Sequence, residues 1–255
     1  MRQRVRSALQ LLTMPAINKQ ETIDDLQNGF RIIQKTDGFR FGIDAVLLSD
    51  FAKCNVSRML DLCTGTGIIP ILLAAKTGIK QIDAIEIQPD IADMAKRSVH
   101  LNRLDDRINI ECADLKNAPN IYGNGVFDAI TVNPPYMKAG SGLQNPDNAK
   151  LISRHEVRCT LEDVISVSAS LLIPHGKFFM VHRPQRLSDI ICIMRKYRLE
   201  PKLMRFVAPQ IGKEPNLILI QGVKDSAPEI KLLPELYVYD EHRSYTKEIN
   251  EIYGR

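Results

Sequence analysis

The chain has 255 residues, of which 44% are hydrophobic and 25% are charged. These values are ordinary for a globular protein that buries a sizeable core, and the formal net charge of +4 permits a nucleic-acid partner without requiring one. No apolar run approaches the roughly 20 residues of a membrane-spanning helix. The five cysteines form no Cys-x-x-Cys pair, and the five histidines show no His-Glu-x-x-His spacing. We therefore expect no membrane span, no metal site and reduced thiols in a cytoplasmic protein.

The first twenty residues are basic, with Arg2, Arg4, Arg6 and Lys19 and no acid. The apolar stretch between these residues is too short for a targeting segment. We interpret residues 1–28 as an N-terminal extension that can be disordered, and residues 29–255 as a single domain. Met14 is an alternative natural start.

From residue 58 onward, strand patterns alternate with helix patterns. The predicted strands cover 58–63, 81–87, 107–112, 126–132, 177–182 and 216–221, and the predicted helices cover 68–76, 89–103, 161–172 and 183–197. This alternation predicts an α/β fold with a doubly wound, mostly parallel, seven-stranded sheet and helices on both faces. Ligands of such sheets bind beyond the carboxyl ends of the strands, so residues that directly follow strands are the candidates for a site.

A glycine-rich turn follows the first predicted strand in the sequence Asp61-Leu-Cys-Thr-Gly-Thr-Gly67, and Glu86 ends the next strand about 20 residues later. Glycines allow close approach of a ligand, and an acid at this offset can accept hydrogen bonds from two ribose hydroxyls. Pro70 stands where a dinucleotide site needs a third glycine, which favours S-adenosylmethionine, an adenosyl ligand without a pyrophosphate. Asp114, after the third strand, can accept from an adenine amino group. The alternatives are a tight turn without a ligand and, for Asp114, a helix cap.

The most specific motif is Asn133-Pro134-Pro135-Tyr136, directly after an apolar strand. An exocyclic amine on adenine, or a carboxamide nitrogen, is a poor nucleophile because its lone pair is delocalised. The Asn133 side-chain oxygen and the Pro134 carbonyl can each accept a hydrogen bond from one N–H of this group. Consecutive prolines stiffen the turn that holds the two acceptors. Tyr136 can stack on the planar group. The alternative is an ordinary turn before proline.

Together these motifs resemble those of the class I amino-methyltransferases. Residues 37–48 (DGFRFGIDAVLL) and the segment that begins at Leu236 (LYVYDE) resemble the family that N6-methylates an adenine beside the anticodon of a valine tRNA. The similarity extends from about Gly29 to Tyr253.

The resemblance implies a role for each matching residue. Asp61, Gly65 and Gly67 would hold the methionine end of S-adenosylmethionine, Glu86 its ribose and Asp114 its adenine. Ile87, Leu115 and Asn133 are also expected at the cofactor, and the catalytic residues at the target base would be Asn133, Pro134, Pro135 and Tyr136. Cys63 is also expected at the cofactor, although many class I enzymes have glycine there. Phe39 and Phe41 either close over the cofactor or pack in the core.

The resemblance implies tRNA as the substrate, with the anticodon loop as the site of modification. The sequence leaves the oligomeric state open and is compatible with a monomer. Two segments are candidate contacts: the polar loop that begins at Lys138 and ends at Lys150, and a basic region comprising Arg183, Arg186, Arg195, Lys196, Arg198, Lys202 and Arg205. The alternative for the basic region is a solvated helix face. Other acceptors of the same chemistry are ribosomal RNA, DNA and a release-factor glutamine. A catalytically silent RNA-binding fold is the non-enzymatic alternative.

Overall fold

The computed structural model describes residues 15–36, 42–135 and 159–255. It begins with an antiparallel hairpin of β1 (Glu21–Asp25) and β2 (Arg31–Lys35). The hairpin includes residues that the sequence led us to assign to the 1–28 extension, so ordered structure starts before residue 29.

A central sheet follows, made of β3 (Arg58–Leu62), β4 (Gln81–Glu86), β5 (Ile108–Cys112), β6 (Phe127–Val132), β7 (Leu172–His182), β8 (Leu199–Ala208), β9 (Leu217–Lys224) and two short strands, β10 (Lys231–Leu232) and β11 (Leu236–Tyr237). The order of the seven long strands is β5-β4-β3-β6-β7-β9-β8, with β10 and β11 both paired to β8. Only β9 runs antiparallel to its neighbours. The sheet is therefore mostly parallel, with the carboxyl ends of the other strands at one edge, which we call the carboxyl edge.

Seven helices accompany the strands in the described ranges: α1 (Ile43–Phe51), α2 (Ile68–Lys76), α3 (Pro89–Leu101), α4 (Ala118–Tyr122), α5 (Leu161–Leu171), α6 (Leu187–Lys196) and α7 (Lys247–Ile252). Two apolar clusters show which face each helix covers. One joins residues of α1, α2, α3 and α7 to the sheet, and the other joins residues of α4, α5 and α6 to it. The result is the doubly wound sandwich with helices on both faces that the sequence predicts. None of the helices in the described ranges is long and apolar enough to cross a membrane.

The hairpin is attached to α3 by polar contacts that the strand pattern does not reveal. Arg97 donates to both carboxylate oxygens of Glu21, at 2.6 and 2.7 Å. Ser98 Oγ accepts from the backbone N–H of Ile33 at 3.0 Å, and Lys35 forms an ion pair with Asp90 at the start of α3. The hairpin is thus fixed along the helix that follows the Glu86 strand.

Candidate active site

The glycine-rich turn joins β3 to α2. Gly65 and Gly67 both have positive φ angles, 58° and 86°, which glycine adopts without steric cost. A Cβ placed on Gly65 would have no atom within 4 Å, so open space adjoins its backbone. Pro70 is the third residue of α2, where its missing N–H would lack a helical partner in any case. The turn therefore combines a fixed backbone with room for a ligand.

Cys63 also has a positive φ, 57°, a conformation that suits glycine better than other residues. Its thiol forms a hydrogen bond with Cys159, and this contact together with burial raises the pKa of Cys63. The environment of Cys63 therefore favours its neutral thiol form.

Glu86 ends β4 and is only 5% exposed. Its Oε2 accepts from the backbone N–H of Gly65 at 3.0 Å, and its Oε1 accepts from that of Gln88 at 3.0 Å. A carboxylate offers about four acceptor positions, so each oxygen retains the capacity to accept from a hydroxyl. Glu86 thus connects the glycine-rich turn to the next strand and can still accept from a diol.

Asp61 lies at the same edge and is fully buried. Its Oδ1 accepts from the hydroxyl of Thr131 at 2.6 Å, whereas its Oδ2 and the Thr64 hydroxyl are buried close enough to interact with each other but form no well-aligned hydrogen bond among the described residues. Burial raises the pKa of Asp61 from 3.8 to about 7, against the opposing effect of the Thr131 hydrogen bond. Because buried polar atoms normally have partners, this arrangement fits a ligand with a cationic or donor group.

The carboxyl end of β5 contributes Asp114, whose Oδ1 accepts from the backbone N–H of Lys116 at 2.9 Å. It therefore caps the short turn at residues 115–117, as the alternative interpretation of this residue expected. Leu115 is buried in the core, and Ile87 is half-buried directly after β4. These positions are adjacent to Glu86 through the pairing of β4 with β5.

Asn133, Pro134 and Pro135 follow β6, which is paired directly with β3. The register places Leu62 beside Val132, so Asn133 and Cys63 are the next residues along two neighbouring strands. A residue before proline is restricted to extended conformations, and this applies to both Asn133 and Pro134. The turn is therefore stiff and lies beside the glycine-rich turn.

The side chain of Asn133 contacts the start of α1. Its Nδ2 donates to Asp44 Oδ2 at 3.2 Å. Asp44 does not stand out in the sequence as a site residue, because an acid in the first turn of a helix is common for electrostatic reasons alone. Its position inside the family-like stretch 37–48 was the available signal.

Three of the expected site residues, Phe39, Phe41 and Tyr136, lie outside the described residues, as does the loop of residues 138–150. The others converge at the carboxyl ends of four adjacent strands, β5, β4, β3 and β6. Within the described ranges, no group of three histidine, cysteine or acidic residues is placed to hold a metal ion.

Most of the basic region is neutralised by intramolecular ion pairs. These join Arg186 to Asp189, Arg195 to Glu200, Lys196 to Glu162, Arg198 to Asp225 and Arg205 to Glu248. Arg183 and Lys202 donate to the backbone carbonyls of Asn216 and Ala227. The region therefore offers less free positive charge than its sequence suggests.

The strand order, the glycine-rich turn and the strand-end acids Asp61 and Glu86 define a class I methyltransferase, whose methyl donor is S-adenosylmethionine. A solved structure supports the fold: that of a predicted O-methyltransferase from Agrobacterium tumefaciens is 21% identical, with a TM-score of 0.67 over 83% of this chain and 95% of the other. The chain belongs to the methyltransferase small domain family, whose model matches residues 42–193.

Curated relatives are more similar in sequence. A protein of Porphyromonas gingivalis named tRNA1(Val) (adenine(37)-N6)-methyltransferase is 34% identical over 74% of this chain and 76% of its own length. A protein of Bacteroides fragilis with the same name is 29% identical over 84% of this chain and 90% of its own length. The similarity to the family, stated above from the motifs alone, is thus confirmed over most of the chain.

Proposed function

We propose that this protein transfers a methyl group from S-adenosylmethionine to the exocyclic N6 of an adenine in the anticodon loop of a tRNA. The observation that carries the proposal is the position of the Asn133–Pro134 turn on β6, directly beside the glycine-rich turn on β3. The names of the relatives support tRNA adenine as the substrate.

In this proposal, Asn133 and Pro134 bind and activate the target amine. Asn133 Oδ1 and the Pro134 carbonyl each accept a hydrogen bond from one N–H of the amino group, which moves electron density onto the nitrogen. The nitrogen can then form the N–CH₃ bond as the S–CH₃ bond of the donor breaks, and it releases one proton to solvent. Because the two prolines hold the turn in one conformation, the acceptors need little reorganisation. The loss of one such preorganised partner typically costs about 100-fold or more in rate.

The residues at the carboxyl ends of β3 and β4 fit the methyl donor. The buried Asp61 Oδ2, which has no well-aligned hydrogen bond, suits the ammonium of the methionine moiety. Glu86 suits the ribose diol, and the open side of Gly65 admits the ligand without steric conflict. When bound there, S-adenosylmethionine supplies an electrophilic methyl group. Asp114, already engaged with Lys116, lies beside the expected adenine position and retains acceptor capacity.

The distance of each basic residue from the carboxyl edge favours some candidate tRNA contacts over others. Arg183 and Arg186 come directly after the carboxyl end of β7, so they lie at the edge that bears Asn133. The ten residues of α6 then run away from that edge, by about 15 Å at 1.5 Å per residue. Arg195, Lys196 and Arg198 follow at its far end. We therefore assign a tRNA contact to Arg183 and Arg186 and a solvated helix face to the distal group.

The test is methyl transfer from labelled S-adenosylmethionine to total tRNA that lacks the modification, followed by nucleoside analysis. We expect labelled N6-methyladenosine from the wild type. The Asn133→Ala variant should bind the methyl donor with unchanged affinity in calorimetry, while its single-turnover rate falls about 100-fold because one acceptor is lost.

If label appeared in ribosomal RNA, DNA or a protein glutamine but not in tRNA, the proposed substrate would be wrong and the proposed chemistry would stand. Binding of the methyl donor without transfer to any acceptor would favour the silent RNA-binding fold. An unchanged single-turnover rate in Asn133→Ala would remove Asn133 from the mechanism.

A further inference from the structure

Asp44 connects the start of α1 to the Asn133 turn. Its Oδ1 accepts from the backbone N–H of Ala45 at 3.0 Å, and its Oδ2 accepts from Asn133 Nδ2 at 3.2 Å. The first bond engages one of the N–H groups that a helix leaves unsatisfied at its N-terminus, and the negative charge there is favourable. The carboxylate is therefore fixed at the helix end while it contacts the turn.

The chemistry of a carboxylate determines which way the Asn133 amide faces. An ionised carboxylate only accepts hydrogen bonds, whereas a side-chain amide has one donor group, its NH₂, and one acceptor, its oxygen. The NH₂ of Asn133 must therefore face Asp44, and Oδ1 must face the opposite way. In the reversed orientation, Oδ1 would oppose a carboxylate oxygen and the NH₂ would meet the hydrogens of the target amine.

Gly42 provides independent evidence that the structure accommodates this carboxylate. A Cβ placed on Gly42 would lie 2.6 Å from Asp44 Oδ1, closer than real contacts allow. The φ of Gly42 is −93°, which any residue can adopt. Glycine is therefore favoured here by space and not by backbone conformation, because a larger residue would displace the side chain of Asp44 from the position it occupies.

We propose that Asp44 is a positioning residue for the methyl-transfer reaction: it holds the Asn133 amide in the one orientation that presents Oδ1 to the target amine. The negative charge of Asp44 also polarises the amide and makes Oδ1 a stronger acceptor. Asp44 acts through Asn133 and does not itself contact the target. This inference rests on the proposed role of Asn133 in the function above.

The direct test replaces Asp44 by asparagine, which has the same shape but can donate as well as accept, so that the Asn133 amide can adopt both orientations. We expect the single-turnover rate on tRNA to fall about 10-fold or more, because a misoriented group costs rate without loss of binding. Affinity for S-adenosylmethionine should stay within about 2-fold. Asp50→Asn, on the same helix but paired with Lys53, is the matched control and should keep the wild-type rate.

A double-mutant cycle separates positioning from a general structural role. In an Asn133→Ala background, Asp44→Asn should cause no further loss, because the group that it orients is absent. Gly42→Ala is a second variant that moves the carboxylate without removing its charge, and it should also lower the rate. Additive losses in the cycle, or a weaker affinity for S-adenosylmethionine with an unchanged rate at saturation, would overturn the proposal.

A spectroscopic measurement keeps the inference testable if tRNA proves to be the wrong substrate. The side-chain NH₂ signals of Asn133 can be identified by their disappearance in Asn133→Ala. They should shift in Asp44→Asn and not in Asp50→Asn. Failure to methylate tRNA would then count against the function alone, whereas unshifted signals in Asp44→Asn would count against the role of Asp44.

Discussion

Cys63 illustrates how one residue can be misjudged from its neighbours in sequence. The apolar pattern extends the first core strand to this cysteine, but the strand ends at Leu62 and Cys63 turns into the left-handed region with φ of 57°. This conformation costs a non-glycine residue about 1 kcal/mol or more. The backbone geometry therefore gives a physical reason for the glycine that the resemblance led us to expect at this position.

Asp61 should make the stability of the protein depend on pH. Its pKa is raised from 3.8 to about 7, so between these values the folded state holds a proton that the unfolded chain has released. The stabilisation is fully present below pH 3.8 and is lost as the pH rises through 7. The upper bound is about 4 kcal/mol, at 1.36 kcal/mol for each pKa unit.

Denaturant unfolding of the wild type and of Asp61→Asn checks this expectation at about pH 4.5 and about pH 7.5. Asparagine can still accept from Thr131, so the variant should gain stability relative to the wild type as the pH rises. His182, whose pKa burial lowers to about 4, has the opposite effect in both proteins and cancels in the difference. If the free energies of unfolding of the two proteins changed equally between the two pH values, Asp61 would be ionised in the folded protein at both.

At the scale of elements, the β1–β2 hairpin depends on α3 for its position. Glu21 has only 6% of its side chain exposed, and its hydrogen bonds with Arg97 lower its pKa to about 2. A buried carboxylate that loses its partner is strongly destabilising. Removal of this contact should therefore weaken the attachment of the hairpin to the helix.

We expect Arg97→Ala to lower the free energy of unfolding by about 3 kcal/mol, and to accelerate hydrogen exchange in residues 21–35 while β6 and β7 remain protected. Arg97→Lys should be intermediate, since lysine lacks the paired donors that match both oxygens of Glu21. Lys247→Ala, which removes an exposed ion pair with Glu251, is the control and should change stability by less than about 0.5 kcal/mol. Unchanged hairpin exchange in Arg97→Ala would show that the apolar contacts suffice.

The elements that sequence patterns predicted are those with a continuous apolar run or a regular apolar spacing. The helix at 68–76 agrees exactly in bounds with α2, and the other core helices and strands are present with shifted ends. β8 escaped prediction because Pro201 and charged residues interrupt its apolar pattern, and tertiary pairing with β9 determines its structure instead. β7 begins at Leu172 and not at residue 177 as predicted, because it also includes His175 and Gly176, near a shift in its register with β6.

The same distinction applies to the site. Residues that follow strands could be predicted because parallel strands bring their carboxyl ends together. Asp44 could not, since its contact with Asn133 joins positions 89 residues apart and depends on how α1 packs against the sheet.

For the whole molecule, the arrangement of charge predicts which basic residues bind RNA. Replacing Arg183 and Arg186 by alanine should weaken tRNA binding about 5-fold or more and reduce the slope of log affinity against log salt by roughly one to two. Replacing Arg195 and Arg198, at the far end of α6, should change affinity by less than about 2-fold. Affinity for S-adenosylmethionine should be unchanged in both double variants. A larger loss of tRNA affinity in the Arg195 and Arg198 variant would place the RNA at the far end of α6.

The close approach of Gly42 to the Asp44 carboxylate has an evolutionary consequence. A side chain at position 42 and the carboxylate at position 44 would occupy the same space, so each position limits which residues the other can have. Family members that lack the glycine should also lack the aspartate. We expect these proteins to orient the residue equivalent to Asn133 through a different contact. The two positions are thus expected to covary as a pair.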